Sequence, residues 1–372
     1  MMPKKNIEKI TANIKLATPY RNIFTLILDI FLHKLLVNTD PRDYFKYSFF
    51  KPGKSLKEKS RYISFNGSMY FPYENNPFKY STIFTNKYVQ KKILHHFNLP
   101  TPDLISTIGE KKDISTKKQL DSFLEPMESD IVIKLISGTH GDGFLSLSPN
   151  GKSFLAGDRN YSKDDVWAHV NTDLRSFKNG YLVEEKITNS DFIRSIYPNS
   201  LNTFRIVMIK THDNKWHNPC SVLRFGKGLK QVDNGQIFIF VDPSGKSTGA
   251  YDITTSNPVT HHPDSGSPLV GIKLTEYQKI INLAIKASKD FNFMGALGWD
   301  IASTDKGPLI LEVNAWWGHD ALQKAMGRGI ITDKLAEGLK KRTFLHRWDK
   351  TMMYPNFNKE PYLGKIRKIL GR

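Results

Sequence analysis

Gly298-Trp299-Asp300-Ile301-Ala302, then Ser303-Thr304-Asp305-Lys306-Gly307-Pro308, then Leu309-Ile310-Leu311-Glu312-Val313-Asn314: this run reads as two β-strands and the connection between them. Strand side chains alternate faces, so Leu309, Leu311 and Val313 share one side while Glu312 and Asn314 share the other. In the first strand Asp300 points away from Trp299 and Ile301. Asp305-Lys306-Gly307 predicts a three-residue hairpin loop with glycine in its left-handed position. A turn centred on Lys306 sets Asp300 directly opposite Glu312. Two facing acids repel unless something compensates. A hard divalent cation such as Mg²⁺ does so, because it takes carboxylate and carbonyl oxygens. Asp300, Glu312 and Asn314 are therefore candidate metal ligands, with Glu312 able to bridge two ions. The competing reading is a solvated hairpin face carrying ordinary surface acids.

Outward from this hairpin, Ile131-Val132-Ile133-Lys134-Leu135-Ile136 reads as a buried strand holding one lysine. A lone amine among apolar neighbours is costly without an anionic partner, although a lysine near a strand end can also snorkel to water. The glycine loop Ser137-Gly138-Thr139-His140-Gly141-Asp142-Gly143 follows and leads into another strand at Phe144. Its glycines allow backbone N–H groups to approach phosphate oxygens. No Gly-Lys-Ser/Thr closes it before a helix, so it is not a P-loop. Further strands are expected at residues 181–183, 203–209 and 236–241, and helices at residues 86–97 and 275–291.

The chain has 372 residues, of which 39% are hydrophobic and 12% aromatic, enough for two or three packed units and against disorder. Lys and Arg number 54 against 36 Asp and Glu, a net charge of +18 that favours an anionic partner without choosing one. Cys220 stands alone, which excludes a disulfide framework and a cysteine-based zinc site and suits a reducing, cytoplasmic setting. The apolar run at residues 23–36 is interrupted by Asp29, His33 and Lys34, is too short to span a bilayer, and predicts a buried amphipathic helix, with a helix lying on a membrane surface as the lesser reading. His261 and His262 are adjacent on extended chain, point to opposite sides and have no second ligand pair, so they are not read as a metal site.

The hairpin resembles the closing motif of the ATP-grasp superfamily, in which an acid on one strand and a Glu-x-Asn on the next hold two magnesium ions. Its wording is most similar to the sugar-transfer-associated ATP-grasp proteins of surface-polysaccharide gene clusters. Asp43-Tyr44-Phe45, Asn86-Lys87-Tyr88, Leu99-Pro100-Thr101-Pro102, Asn202-Thr203-Phe204-Arg205, Leu223-Arg224-Phe225-Gly226, Val232-Asp233-Asn234 and His262-Pro263-Asp264-Ser265-Gly266 fit the same branch in order. The resemblance implies an α+β ATP-grasp fold, two lobes clamping ATP, with an added helical and aromatic N-terminal unit. The expected divisions are residues 1–86 for that unit, 87–183 for the first lobe with its glycine-loop lid, 184–334 for the lobe with the metal site, and 335–372 for a basic tail.

The resemblance also implies ATP and Mg²⁺ as cofactors. Nucleotide contacts fall to Lys87, Lys134 and the lid residues Ser137, Gly138, His140, Gly141 and Gly143. Leu135 stands where many members have proline. Tyr181-Leu182-Val183-Glu184-Glu185-Lys186-Ile187 is similar to the hinge strand beside adenine, with Glu184, backbone groups of Glu185 and Ile187, and a ribose acid at Asp191. Asp191 reads equally well as a surface loop acid. Arg205 and Arg224 are the catalytic candidates, placed to neutralise a transferring phosphoryl group or else to pair with Asp233 or another acid. The implied activity is a carboxylate–amine ligase acting through an acyl phosphate, joining an amine or amino acid to a sugar or uronic acid, with no nucleic-acid partner. A sugar kinase on the same scaffold, or a basic binding module with a degenerate nucleotide site, are the rivals. The basic tail, with Lys340, Lys341, Arg342, Lys365, Arg367 and Lys368, together with the helix at residues 23–36, suggests peripheral contact with an anionic membrane, the other reading being a solvated tail that packs on its own domain.

Overall fold

The computed structural model describes residues 4–37, 39–63, 76–138, 141–211, 213–228 and 236–338. The tail expected to meet a membrane, apart from its first four residues, lies outside them, as do Thr139, His140 and Asp233. The chain divides into two compact units, Met1–Asn75 with Gly327–Arg372, and Asn76–Met326.

In the first unit short helices follow one another: Lys4–Ala17, Ile23–Val37, Pro41–Lys46 and Leu56–Lys59. Asp40 caps the third through Arg42 N–H with Pro41 in its first turn, and Ser55 with Glu58 forms a reciprocal capping box on the fourth. Tyr44, Tyr47, Phe49 and Phe50 are buried with Ala17 and Leu26, so the aromatic stretch is a core. The helix Ile23–Val37 departs from the buried amphipathic helix expected. It turns Leu26 and His33 inward and leaves most of its large apolar side chains in water. Asp29 explains the choice: its carboxylate accepts the Tyr44 hydroxyl, and its oxygens lie 3.5 Å from Arg21 and 3.3 Å from His33 Nδ1. The polar groups face the core because their partners are there.

The second unit carries two antiparallel sheets. The first is built from β1 (Leu104–Ile108), β2 (Ile131–Leu135), β3 (Leu145–Asn150), β4 (Ser153–Ala156), β5 (Arg159–Tyr161) and β6 (Tyr181–Glu185), in the order β1-β6-β2-β3-β4-β5. The line expected between residues 183 and 184 therefore passes through β6. The second comprises β7 (Thr203–Lys210), β8 (Trp216–Phe225), β9 (Ile237–Val241), β10 (Ser247–Asp252), β11 (Asn257–Val259), β12 (Ala296–Thr304) and β13 (Gly307–Asn314), in the order β11-β10-β9-β8-β7-β12-β13. The helix Tyr277–Asp290 buries Ile280, Leu283, Ala284 and Ala287, and its Ser288 accepts the Trp299 indole N–H at 2.8 Å.

Edge strand β13 is not left bare. The helix Lys87–His96, capped by Asn86 on Val89 N–H, sends Gln90 to Val313. The Gln90 amide donates to Val313 O and accepts from Val313 N–H, both at 2.8 Å, occupying main-chain groups that an open edge would expose.

The acidic hairpin is tighter than expected, and it is bulged. Thr304 pairs with Gly307, so the loop is the two residues Asp305 and Lys306, and Gly307 is the closing residue at φ +113°. Ile301 pairs with Ile310 and Asp300 with Glu312, which leaves Leu311 as the extra residue of a β-bulge. The bulge breaks strict alternation: Ile310 and Val313 are the buried residues of β13, in place of the expected Leu309, Leu311 and Val313 set. It also keeps Asp300 opposite Glu312, since the two-residue turn without the bulge would have paired Asp300 with Leu311.

Candidate active site

Sheet register assembles the site. Across the central strands of the second sheet, Val222, Arg205, Asp300 and Glu312 form one row, and Gly298 with Asn314 lies in the next row on the same face. Arg224 opposes Thr203 on the other flank. Asp300 is buried and held from two sides. Arg205 Nε is 2.5 Å from Oδ1 and its Nη2 is 2.9 Å from Oδ2, while Arg224 Nη2 is 3.1 Å from Oδ1. Burial pushes the Asp300 carboxyl up, but Arg205 and then Arg224 outweigh it and hold the group at about 2. Both catalytic candidates thus meet at one acid. A third donor of Arg205, Nη1, binds Trp317 O at 2.7 Å.

Glu312 is a third exposed and open to a ligand. Its Oε1 accepts the Asn314 amide at 3.1 Å, and its Oε2 lies 4.0 Å from Lys87 Nζ. Lys87 Nζ in turn donates to Gly138 O at 2.7 Å, tying the start of the glycine loop to the acidic hairpin. Burial lowers the Lys87 pKa, with Glu312 opposing and Lys134 reinforcing the fall.

A second charge cluster sits in the first sheet. Lys134 Nζ lies 2.7 Å from Glu184 Oε2. Lys91 Nζ lies 2.9 Å from Glu184 Oε1, close enough for the charges to pair though outside hydrogen-bond geometry. Lys91 also donates to Pro102 O at 2.6 Å and Thr101 Oγ1 at 2.9 Å. Burial drives the Lys91 amine down to about 8 against the pull of Glu184. Burial pushes Glu184 up, but Lys134 and Lys91 together hold it below the ordinary carboxylate range. Sequence reasoning missed Lys91. The available signal was its position four residues after Lys87, which stacks both amines on one helix face.

Other hinge expectations need correction. The Glu184 side chain is buried between two lysines on a strand flanked on both sides, so it can act on a nucleotide only through Lys134. Of the Glu185 backbone groups, the N–H is taken by Asp103 O at 3.1 Å and is not available to a base. Ile187, just past the end of β6, has no main-chain partner among the described residues and stays open. Asp191 is not brought to the cluster. It is exposed, pairs with Arg194, and its N–H donates to Asp305 Oδ1 at the hairpin tip, about 16 Å along the strand from Asp300 at ~3.3 Å per residue. In the loop, Ser137 is exposed, while Gly138 and Gly143 pack on Leu135, where a Cβ would come within 3.1 and 2.9 Å of its side chain. Gly141 and Gly143 have φ of +78° and +65°.

Among the described residues no group of three or more His, Cys, Asp or Glu side chains is arranged to hold a metal ion. The oxygen donors that suit Mg²⁺ here are Glu312 and the Asn314 amide, which presents its oxygen to the ion by turning over from its bond to Glu312. Asp300 joins them only if it is shared with its arginines.

A family model described as sugar-transfer associated ATP-grasp matches residues 67–337. The chain belongs to that family. No curated protein matches. Similar solved structures include the biotin carboxylase β-γ-ATP complex from Campylobacter jejuni, 13% identical, covering 71% of this chain and 48% of that one at a TM-score of 0.44. An L-amino acid ligase from Bacillus licheniformis is 14% identical, covering 73% and 51% at 0.43. The D-alanine–D-alanine ligase from Bacillus anthracis is 14% identical, covering 63% and 58% at 0.35. The chain spans about half the length of the first such structures.

Proposed function

We propose that this ATP-grasp chain is an ATP-dependent carboxylate–amine ligase that works through an acyl phosphate, joining an amino acid or amine to a sugar acid during surface-polysaccharide synthesis. The observation that carries the reading is the Arg205–Asp300–Glu312 row with Asn314 beside it and Lys87 approaching from the helix. Lys87, Lys91, Lys134, Arg205 and Arg224 exceed Glu184, Asp300 and Glu312 by two charges. Such a cluster favours a polyphosphate over a bare dication, so the metal is expected to arrive with the nucleotide. When bound, Mg²⁺ supplies charge neutralisation at the phosphates, with Glu312 and Asn314 as its protein ligands.

In the reaction a substrate carboxylate oxygen attacks the γ-phosphorus, and the bond to ADP breaks. An amine nitrogen then attacks the acyl carbon, phosphate leaves with the C–O electrons, and the amine sheds a proton to give the amide. Lys134 and Lys87 hold phosphate oxygens. Arg205 and Arg224, fixed by Asp300, stabilise charge on the transferring group. The open main chain of Ile187 receives the base. The sugar side of the substrate rests on the family description alone.

The test is mass spectrometry of products after incubation with Mg-ATP, uronic-acid sugars and an amino-acid pool. A sugar–amino-acid amide with stoichiometric ADP and phosphate is expected. A stable phosphorylated sugar formed without an amine would make the protein a kinase. Glu312→Gln is expected to lower turnover by about 100-fold or more, and near wild-type ATP consumption in that variant would remove Glu312 from the site.

A further inference from the structure

The helix Ile23–Val37 is built inside out. Phe24, Ile27, Leu28, Phe31, Leu35 and Leu36 are each between 57% and 82% exposed, and nothing among the described residues covers them. Five of the six lie in a stripe about 100° wide at 100° per residue, opposite the buried Leu26 and His33. The inward face is not free to exchange places with the outward one. His33 lies edge-on to Tyr44 and stacks on Phe49, its Nδ1 meets Asp29 O at 2.7 Å, and Asp29 is held by Tyr44 and Arg21. Contiguous exposed apolar area of this kind marks an interaction surface.

Charge selects the occupant. Residues 1–63 hold thirteen Lys and Arg against five Asp and Glu, a net of +8. Two copies brought face to face would set that charge against itself, whereas an anionic lipid surface attracts it. We propose that the outward stripe of the helix Ile23–Val37 lies in the interface of an anionic bilayer. No helix among the described residues is long and apolar enough to cross a membrane, and 15 residues reach about 22 Å at 1.5 Å each, so this helix lies on the surface and does not span it. The apolar stripe enters the headgroup boundary, and each nearby basic side chain adds about five-fold to partitioning. The ATP-grasp unit is then tethered where lipid-linked acceptors would be met.

The decisive experiment is flotation of the full chain with phosphatidylcholine vesicles, with and without phosphatidylglycerol, at low and high salt. Wild type is expected to float with the anionic vesicles, and less so at high salt. Phe24→Ser with Phe31→Ser is expected to lose ~tenfold or more of that binding at an unchanged melting temperature, because both positions are in water. Ile27→Ser with Leu35→Ser serves as the second pair if the first lowers the melting temperature. Equal recovery of wild type and both pairs would overturn the proposal. So would failure of wild type to float while light scattering shows a dimer that the substitutions split, since the stripe would then be an interface between copies.

Discussion

The second unit holds one charge arrangement twice, in two chemistries. In the first sheet Glu184 is buried between Lys91 and Lys134; in the second, Asp300 is buried between Arg205 and Arg224. Each trio carries one net positive charge. They differ in how they tolerate burial. An ammonium can lose its proton, and burial takes Lys91 down to about 8. A guanidinium keeps its charge and offers a planar fork, so the arginine trio holds its acid at about 2 and is already shaped for phosphate. The lysine trio is adjustable and the arginine trio is fixed.

Removing the central acid breaks the comparison hardest. Asp300→Ala strands two guanidiniums and is expected to cost about 3–5 kcal/mol. Glu184→Ala strands two amines, one of which can neutralise itself, and about 1–3 kcal/mol is expected. Urea unfolding of both variants at neutral pH measures the difference. Equal costs would mean that the lysines gain nothing from their freedom to deprotonate.

Proton linkage sharpens it next. The folded Lys91 titrates near 8 and the unfolded one near 10.5. Between those values the unfolded chain binds a proton that the folded chain does not, so this site's contribution to stability rises with pH across the window. The rise is bounded at about 3 kcal/mol. Subtracting the stability curve of Lys91→Met from that of wild type isolates it, and a flat difference from pH 8 to 10 would refute the depressed amine. Asp300 acts with the same sign at the acid end of the scale. Its contribution is present above the ordinary carboxylate range and disappears as pH falls towards 2.

How far each trio was legible follows from how local its information is. Asp300, Glu312 and Asn314 lie in one hairpin, where alternation and a short turn are enough to bring the acids together. The bulge at Leu311 was not legible, because nothing in a run of Leu and Ile says which residue is extra. That Arg205 and Arg224 converge on Asp300 depends on the register of β7 and β8, a pairing between segments far apart in sequence. Lys91 was lost among 54 basic residues, since its spacing from Lys87 places it on the same helix face and only burial shows that it is paired there. The outward turn of the helix Ile23–Val37 was only the lesser reading of its sequence: its rotation is set by Tyr44 and Arg21 gripping Asp29, and hydrophobic pattern alone favours burial.

A smaller effect tests the support of the arginine trio. Gly298 sits beneath Trp317, whose carbonyl binds Arg205. A Cβ at Gly298 would lie 2.2 Å from Trp317 Cβ and 3.3 Å from Arg205 Cδ. Gly298→Ala is expected to cost about 2 kcal/mol as the chain gives way, and to lower turnover by moving the guanidinium. Wild-type stability and turnover together would show that Trp317 yields freely and does not position Arg205.

The smallest expected effect concerns Leu135, the support of the glycine loop beside Lys134. Its side chain fills the space beneath both Gly138 and Gly143. It is half-buried at the end of β2, in register with Tyr181, so truncation should cost only about 1 kcal/mol of stability. The sharper readout is ligand affinity. Gly138 O accepts from Lys87, so a loop that loses its seat also loosens the amine facing Glu312. Leu135→Ala is therefore expected to weaken Mg-ATP binding by a few-fold, ~1 kcal/mol or less, while Lys134 keeps its contact with Glu184. Isothermal titration with a non-hydrolysable ATP analogue measures the first, and the Lys91 window near 8, set beside the same Glu184, reports the second. If affinity is unchanged while stability falls, Leu135 is ordinary core packing. If both the affinity and the pH window near 8 shift, the loop and the lysine trio are one mechanical unit, and the adjustable half of the site extends to the glycine loop.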